Sequence, residues 1–209
     1  HKIIQSSVKY KNLGLIIIDE EHRFGVAQKE QLKKVRSNVD VLCMTATPIP
    51  RTLSMSFHGL RDLSIIATPP ERRLRVETII CQHNDSVLKE ATERELLRGG
   101  QIYYVHNDIG TIEAQAEKLR KYFPERQVGV VHGSLSEQQQ ERVMSKFYHQ
   151  DLDILVGTTI IETGLDVPNA NTIFISQAHH LGLAQLHQLR GRVGRSYHQA
   201  YAYLFIPAP

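Results

Sequence analysis

The chain has 209 residues, 41% of them hydrophobic and 22% charged, a composition that excludes a disordered or fibrous protein and allows one large core or two modest ones. A formal charge of +3 and a pI near 8.9 permit a nucleic-acid partner but are too mild to argue for one by themselves. No apolar run approaches the roughly 20 residues that span a bilayer, and no signal-peptide pattern opens the sequence.

Leu13 to Ile18 is an uninterrupted apolar run, the pattern of a strand buried on both faces of a parallel sheet. It runs into Asp19-Glu20-Glu21-His22. Ligands of open α/β sheets bind beyond the carboxyl ends of strands, so one carboxylate could hold Mg²⁺ and its neighbour orient an attacking water. Taken alone, the tetrad reads equally as a polar loop. Gln28 to Val35 has helical composition, and Val39 to Met44 is a second buried strand delivering Thr45-Ala46-Thr47-Pro48. Its two hydroxyls can donate to phosphate or carboxylate, or simply form a turn. Arg51 to Leu60 reads as a helix.

Thr68-Pro69-Pro70 stiffens the chain and breaks both periodicities, which sets a linker at residues 68–75 between regions 1–67 and 76–209. A fresh α/β alternation follows. Strands are expected at Val76 to Cys81, Gln101 to His106, Gln127 to Val131, Ile154 to Val156, Thr172 to Ile175 and Ala200 to Ile206, the last closing the sheet. Asp85 is expected to cap a helix that runs to Arg98 and exits at Gly99. A helix from Thr111 to Phe123 stops at Pro124, and Ser136 with Gln139 forms a capping box for a helix reaching Tyr148.

His132-Gly133 ends one of these strands, and that histidine reads more readily as structural than functional. Thr158, Gly164 and Asp166 lie in a segment of hydroxyls, glycine and carboxylate suited to touching phosphate or ribose. A helix from about Leu181 leads into Gln188-Leu189-Arg190-Gly191-Arg192-Val193-Gly194-Arg195, where guanidinium forks alternate with glycines that let the backbone approach an anion. Arg192 and Arg195 are three apart and would share one side of a continuing helix. The plainer alternative is an Arg/Gly segment that binds nucleic acid loosely.

Cys43 and Cys81 are expected to be buried, reduced and structural, which places the chain in a cytosolic compartment. The eleven histidines show no metal-ligand spacing. No GxxxxGK[ST] occurs, so the loop that cradles ATP phosphates is absent from this sequence. With an opening at His1 rather than Met, this predicts an excised piece of a nucleotide-driven motor.

Asp19 to His22, Thr45 to Pro48, Gly157 to Pro168 and Gln188 to Arg195 resemble motifs II, III, V and VI of superfamily 2 helicases and translocases, in order and spacing. More narrowly, DEEHRFGV (Asp19 to Val26), TATPIPRT (Thr45 to Thr52) and LAQLHQLRGRVGRS (Leu183 to Ser196) are similar to bacterial double-stranded DNA translocases, the transcription-repair coupling factors and the RecG fork-reversal helicases. Glu21, Arg61 to Pro70 and Thr158 to Pro168 look closer to the coupling factors.

The resemblance implies two RecA-like α/β lobes with parallel sheets flanked by helices, the first incomplete, acting on double-stranded DNA in a bacterial cytoplasm. It implies ATP between the lobes and Mg²⁺ on Asp19, with Glu20 polarising water. Thr45 and Thr47 would couple nucleotide state to DNA grip, and Thr158, His132 and Gly133 would contact DNA phosphate. Gly164 and Asp166 would line the nucleotide side, and Gln188, Arg192 and Arg195 would reach ATP. RNA polymerase and UvrA would be partners through modules outside this chain, and the isolated chain would be inactive. A RecG-type helicase and an inactive nucleic-acid-binding scaffold on a motor fold remain the alternatives.

Overall fold

The computed structural model describes residues 8–20, 24–35, 39–45, 62, 64–66, 68, 74–162 and 166–207. Two compact units divide the chain, His1–Ile66 and Ala67–Pro209.

In the first unit, β1 (Leu15–Asp19) and β2 (Asp40–Met44) pair in parallel, joined through helix α1 (Val26–Val35). The register sets Asp19 opposite Met44, so the residues that follow each strand emerge at one edge. These strands were expected to be buried on both faces. Instead Ile18 is buried, while Leu15 and Ile17 remain 53% and 57% exposed and Leu42 and Met44 nearly as much. Their sequence is apolar on both faces, but one described helix can cover only one of them. The helix expected at Arg51 to Leu60 lies outside the described residues.

The second unit is a six-stranded, all-parallel sheet in the order β3-β8-β7-β4-β6-β5. Its strands are β3 (Glu77–Gln82), β4 (Gln101–Val105), β5 (Val128–Val131), β6 (Ile154–Gly157), β7 (Ala170–Ile175) and β8 (Tyr201–Ile206). Strands β4, β6 and β7 are buried throughout, the reason their sequences are continuously apolar rather than alternating. The last strand does not close an edge; it inserts between β3 and β7 and leaves β3 outermost.

Side-chain alternation assigns the two faces. Ile102, Tyr104, Ile154, Val156 and Phe174 pack with Leu88, Ala91 and Leu96 of α2 (Asp85–Leu97) and with Ile112, Ala116 and Leu119 of α3 (Ile112–Tyr122). Their strand neighbours Tyr103, Val105, Leu155, Ile173 and Ile175 pack the other way. There they meet Phe147 of α4 (Glu137–Tyr148), Leu189 of α5 (Leu183–Arg190) and Val193 just beyond it. The sheet is therefore covered on both sides, with α2 and α3 on one face and α4 and α5 on the other.

Helix ends agree with the sequence in part. Ser136 and Gln139 form the expected capping box on α4. The cap of α2, however, is Asn84, whose side chain accepts from the Ser86 N–H at 2.8 Å, and Asp85 is the first helical residue. Asp85 is committed to α3 instead: it accepts from Lys118 Nζ at 2.7 Å and from the Tyr122 hydroxyl at 2.6 Å. Those donors hold its carboxyl at about 2, so this tie between helices is complete above the ordinary carboxylate range and fails only in strong acid.

Cys43 and Cys81 are half-buried rather than buried, because each sits on a strand that is not fully covered. Burial nonetheless pushes the Cys81 thiol up.

Candidate functional site

In the first unit the chemistry gathers at the carboxyl ends of β1 and β2. Asp19 is exposed there. Glu20, the next residue, adopts φ 52°, a left-handed conformation costly for a residue with a Cβ. Among the described residues its N–H donates to the Met44 carbonyl at 2.9 Å, and its Oε2 accepts from the Thr45 hydroxyl at 2.8 Å. The strand register that sets Asp19 against Met44 makes this pairing possible across 25 residues of sequence. Glu21, His22 and Thr47 lie outside the described residues.

In the second unit every strand is parallel, so all six carboxyl ends share one edge. That edge receives His132 and Gly133 after β5 and Thr158 after β6. Thr158 is 8% exposed, and its N–H donates to the Val131 carbonyl at 3.3 Å. Close packing at Gly157 pulls the chain inward here, since a Cβ at that position would lie 2.6 Å from Ile161 Cδ1 and 2.9 Å from Val131 Cγ1. Nδ1 of His132 is buried without a hydrogen-bond partner among the described residues.

Sequence reasoning missed the end of β4. His106 bridges the Ser176 hydroxyl at 3.4 Å and the Thr111 hydroxyl at 2.7 Å, and Thr111 in turn donates to Asp108 Oδ2 at 2.8 Å. Because the Thr111 proton goes to Asp108, His106 Nε2 must be the donor to Thr111, and Nδ1 is left to accept from Ser176. Burial lowers the His106 pKa, which keeps this neutral tautomer, while the nearby Asp108 charge acts the other way. Beside it, Asn107 Oδ1 faces both the N–H and the hydroxyl of Thr159, at 3.5 and 3.4 Å. The polar run His106-Asn107-Asp108 directly after an apolar strand was the available signal.

The arginine segment is built differently from its expectation. Helix α5 stops at Arg190, so Arg192 and Arg195 do not continue it. The N–H groups of Arg192 and Val193 bond back to the carbonyls of Leu189 and Arg190, tightening the final turn, and Gly194 then leaves it at φ 75°. Val193 is fully buried and anchors the turn to the sheet. A Cβ on Gly194 would come within 3.0 Å of Val76 and 3.2 Å of Ala200, the residues just before β3 and β8. On the other side, Ser196 Oγ donates to Asn171 Oδ1 at 2.7 Å, at the start of β7. The turn therefore sits at the amino-terminal edge of the sheet, opposite His132 and Thr158. Strands of four to six residues, rising about 3.3 Å each, separate the two edges by about 13–20 Å.

At that edge Arg195 pairs with Asp166, Nη1 to Oδ1 at 3.1 Å, and its Nε donates to the Gly191 carbonyl at 3.3 Å. Arg192 is half-buried in the same turn, and Gln188 is half-buried on α5. The charges of Arg192, Arg195 and Asp166 all act on the Tyr103 hydroxyl, which burial pushes up to about 12. Gly164 lies outside the described residues.

A strand-end acid pair in one unit and an arginine turn on a six-stranded parallel sheet in the other define a class. Residues 83–197 match the helicase conserved C-terminal domain and residues 1–56 the DEAD/DEAH box helicase family. The chain belongs to the helicase family with this C-terminal domain, and its fold is the RecA-like one of parallel sheets flanked by helices. Within that class it is 64% identical over 209 residues to the transcription-repair-coupling factor of Haemophilus influenzae and 59% identical to that of Escherichia coli K12. Each match covers 100% of this chain and 18% of the relative's length, so the chain spans under a fifth of these curated relatives.

Among solved structures, RecG bound to a three-way DNA junction superposes with a TM-score of 0.78 at 40% identity, covering 100% of this chain and 28% of RecG. Yeast Dbp5 bound to RNA and ADP BeF3 shares the fold alone, with a TM-score of 0.70 at 15% identity over 94% of this chain and 54% of its own. No helix among the described residues is long and apolar enough to cross a membrane.

Proposed function

We propose that this chain is the motor portion of an ATP-dependent double-stranded DNA translocase of the transcription-repair-coupling kind, one that displaces stalled RNA polymerase and recruits UvrA through modules beyond these residues. The observation that carries the reading is the arginine turn, where buried Val193 and left-handed Gly194 present Arg192 and Arg195 on a rigid base. Residues 1–67 would be the carboxyl part of the first RecA-like domain, 68–75 a linker, and 76–209 the second. The alternative of a RecG-type fork-reversal helicase is favoured by the DNA-junction complex of a 40% identical neighbour.

The residue roles follow from charge and placement. Exposed Asp19 fits Mg²⁺, because that ion is held by one or two carboxylates together with phosphate oxygens and needs no larger ligand cluster. When bound, the ion neutralises charge on the phosphates. Glu20 orients the attacking water, and Thr45, with Thr47, links the state of that glutamate to DNA grip. Gln188, Arg192 and Arg195 act on the ATP phosphates, and Gly164 with Asp166 flanks the nucleotide. His132, Gly133 and Thr158, at the opposite edge of the second sheet, track the DNA backbone. Chemistry is then mostly positioning and charge neutralisation.

The experiment that tests the DNA-facing half is Thr158→Ala in the full-length protein. DNA-stimulated ATPase and translocation should weaken alike on all sequences, because phosphate contacts position without specifying bases. Unchanged stimulation, or a loss that depends on base sequence, removes Thr158 from the DNA path. The 209-residue chain by itself is expected to hydrolyse no ATP, having no GxxxxGK[ST] segment to hold the γ-phosphate. Steady-state turnover above a no-protein blank, abolished by Glu20→Gln, contradicts that expectation.

A further inference from the structure

Arg195 is held at three levels. Its backbone is fixed by neighbours on both sides: Leu189 and Val193 are fully buried, Gly194 takes φ 75° against Val76 and Ala200, and Ser196 is tied to Asn171. Backbone anchoring leaves the long side chain free to turn, and that freedom is removed in two places. The Gly191 carbonyl takes the Nε–H, and the Asp166 carboxylate takes the Nη1 end of the fork. Asp166 is itself placed by the buried side chain of Val167, whose carbonyl accepts from Ala170 at the start of β7. Among the described residues the Nη2 end of Arg195 has no protein partner, so the outer corner of the guanidinium is presented while its inner edges are engaged.

We infer that Asp166 is a positioning residue for Arg195: its carboxylate acts through the guanidinium, fixing the fork so that the free Nη2 end meets the phosphate. This rests on the proposed role of Arg195 in ATP hydrolysis and adds to the place of Asp166 beside the nucleotide the task of aiming that arginine. A carboxylate suits that task better than a carbonyl. It holds the charged fork while leaving its charge unchanged, and a partly exposed pair, with 30% and 61% of the side chains open, does so without trapping the arginine. A fork already aimed loses less freedom when it meets a phosphate, which favours the step in which the phosphoryl charge shifts.

The test is a double-mutant cycle in the full-length protein at saturating DNA, with kcat and KM for ATP measured for Asp166→Ala, Asp166→Asn, Arg195→Ala and the pair Asp166→Ala/Arg195→Ala. Asp166→Ala should lower kcat about tenfold with KM for ATP within about twofold, and Asp166→Asn, which keeps an acceptor oxygen, should recover about half of that loss on a logarithmic scale. In the Arg195→Ala background, removing Asp166 should cost nothing further. A raised KM with unchanged kcat, or a second loss in the Arg195→Ala background, shows that Asp166 acts independently and overturns the inference. So does Asp166→Ala turnover equal to wild type while Arg195→Ala is slow. If Arg195→Ala itself leaves turnover intact, the proposed function loses its central residue and the inference falls with it.

Discussion

Replacing Arg195 or Arg192 with alanine in the full-length protein should slow ATP hydrolysis at least about a hundredfold while weakening ATP binding far less. Charge on the γ-phosphoryl oxygens redistributes in the transition state, and a guanidinium directed at them stabilises that state more than the bound substrate. Arginine fingers are worth about 10³ to 10⁵ in rate, and two arginines sharing one turn divide the task. Lysine should rescue either position poorly, because a point charge lacks the planar fork, which at Arg195 is already engaged by Gly191 and Asp166. Arg126 is the control: it is a partly exposed partner of Asp153 at 3.6 Å, in the turn after α3, and its loss should change little. Single-turnover hydrolysis and nucleotide-binding titrations separate the two effects. If Arg195→Ala lowers DNA affinity but leaves DNA-saturated turnover intact, the turn is a nucleic-acid contact, as a loosely binding Arg/Gly segment would be.

Sequence patterns carried the second unit well where local physics decides the outcome. Continuous apolar runs at Ile154 to Val156 and Thr172 to Ile175 became fully buried strands, because a parallel sheet covered on both faces selects such runs. The Ser136/Gln139 box closes within one turn and was readable for the same reason. What escaped notice depends on distant partners. Asp85 looked like a cap, but Lys118 and Tyr122 on another helix claim its carboxylate, and Asn84 takes the capping role. Arg192 and Arg195 look helical by spacing, yet Gly194 has a small gap between Val76 and Ala200 to fill, and filling it requires leaving the helix.

The site was legible as residues and not as an arrangement. Hydroxyls, acids and arginines stand out by type, but nothing local says that the arginine turn lies at the amino edge of the sheet while Thr158 and His132 lie at the carboxyl edge. That follows from all six strands being parallel: His132 and Thr158 directly follow strands, whereas the turn follows α5 and precedes β8. The pairings Thr45 with Glu20 and Asp166 with Arg195 likewise join residues far apart in the chain, and only register and packing create them.

Glu20→Gln in the full-length protein should reduce ATP turnover by about 10² to 10⁴, the range that a group positioning or deprotonating the attacking water supplies. Glutamine keeps the size and one acceptor oxygen, so the strained φ of 52° and the bond from the Glu20 N–H to Met44 can persist while the charge is lost. ATP should therefore still bind, and the variant should hold nucleotide without consuming it. Thr45→Val separates orientation from charge. The valine keeps the shape of the threonine but removes the hydroxyl that donates to Glu20 Oε2 at 2.8 Å. A hydrogen bond to a charged group contributes about 1.5–3 kcal/mol. Even if only part of that is realised in the transition state, turnover should fall about tenfold with little change in nucleotide affinity. Combined with Glu20→Gln, the valine should add much less than it does alone, because the hydroxyl acts through the carboxylate it orients. Additive losses would instead mean that Thr45 works on DNA grip by a route that bypasses Glu20, and full turnover by Glu20→Gln would remove the glutamate from the chemistry altogether.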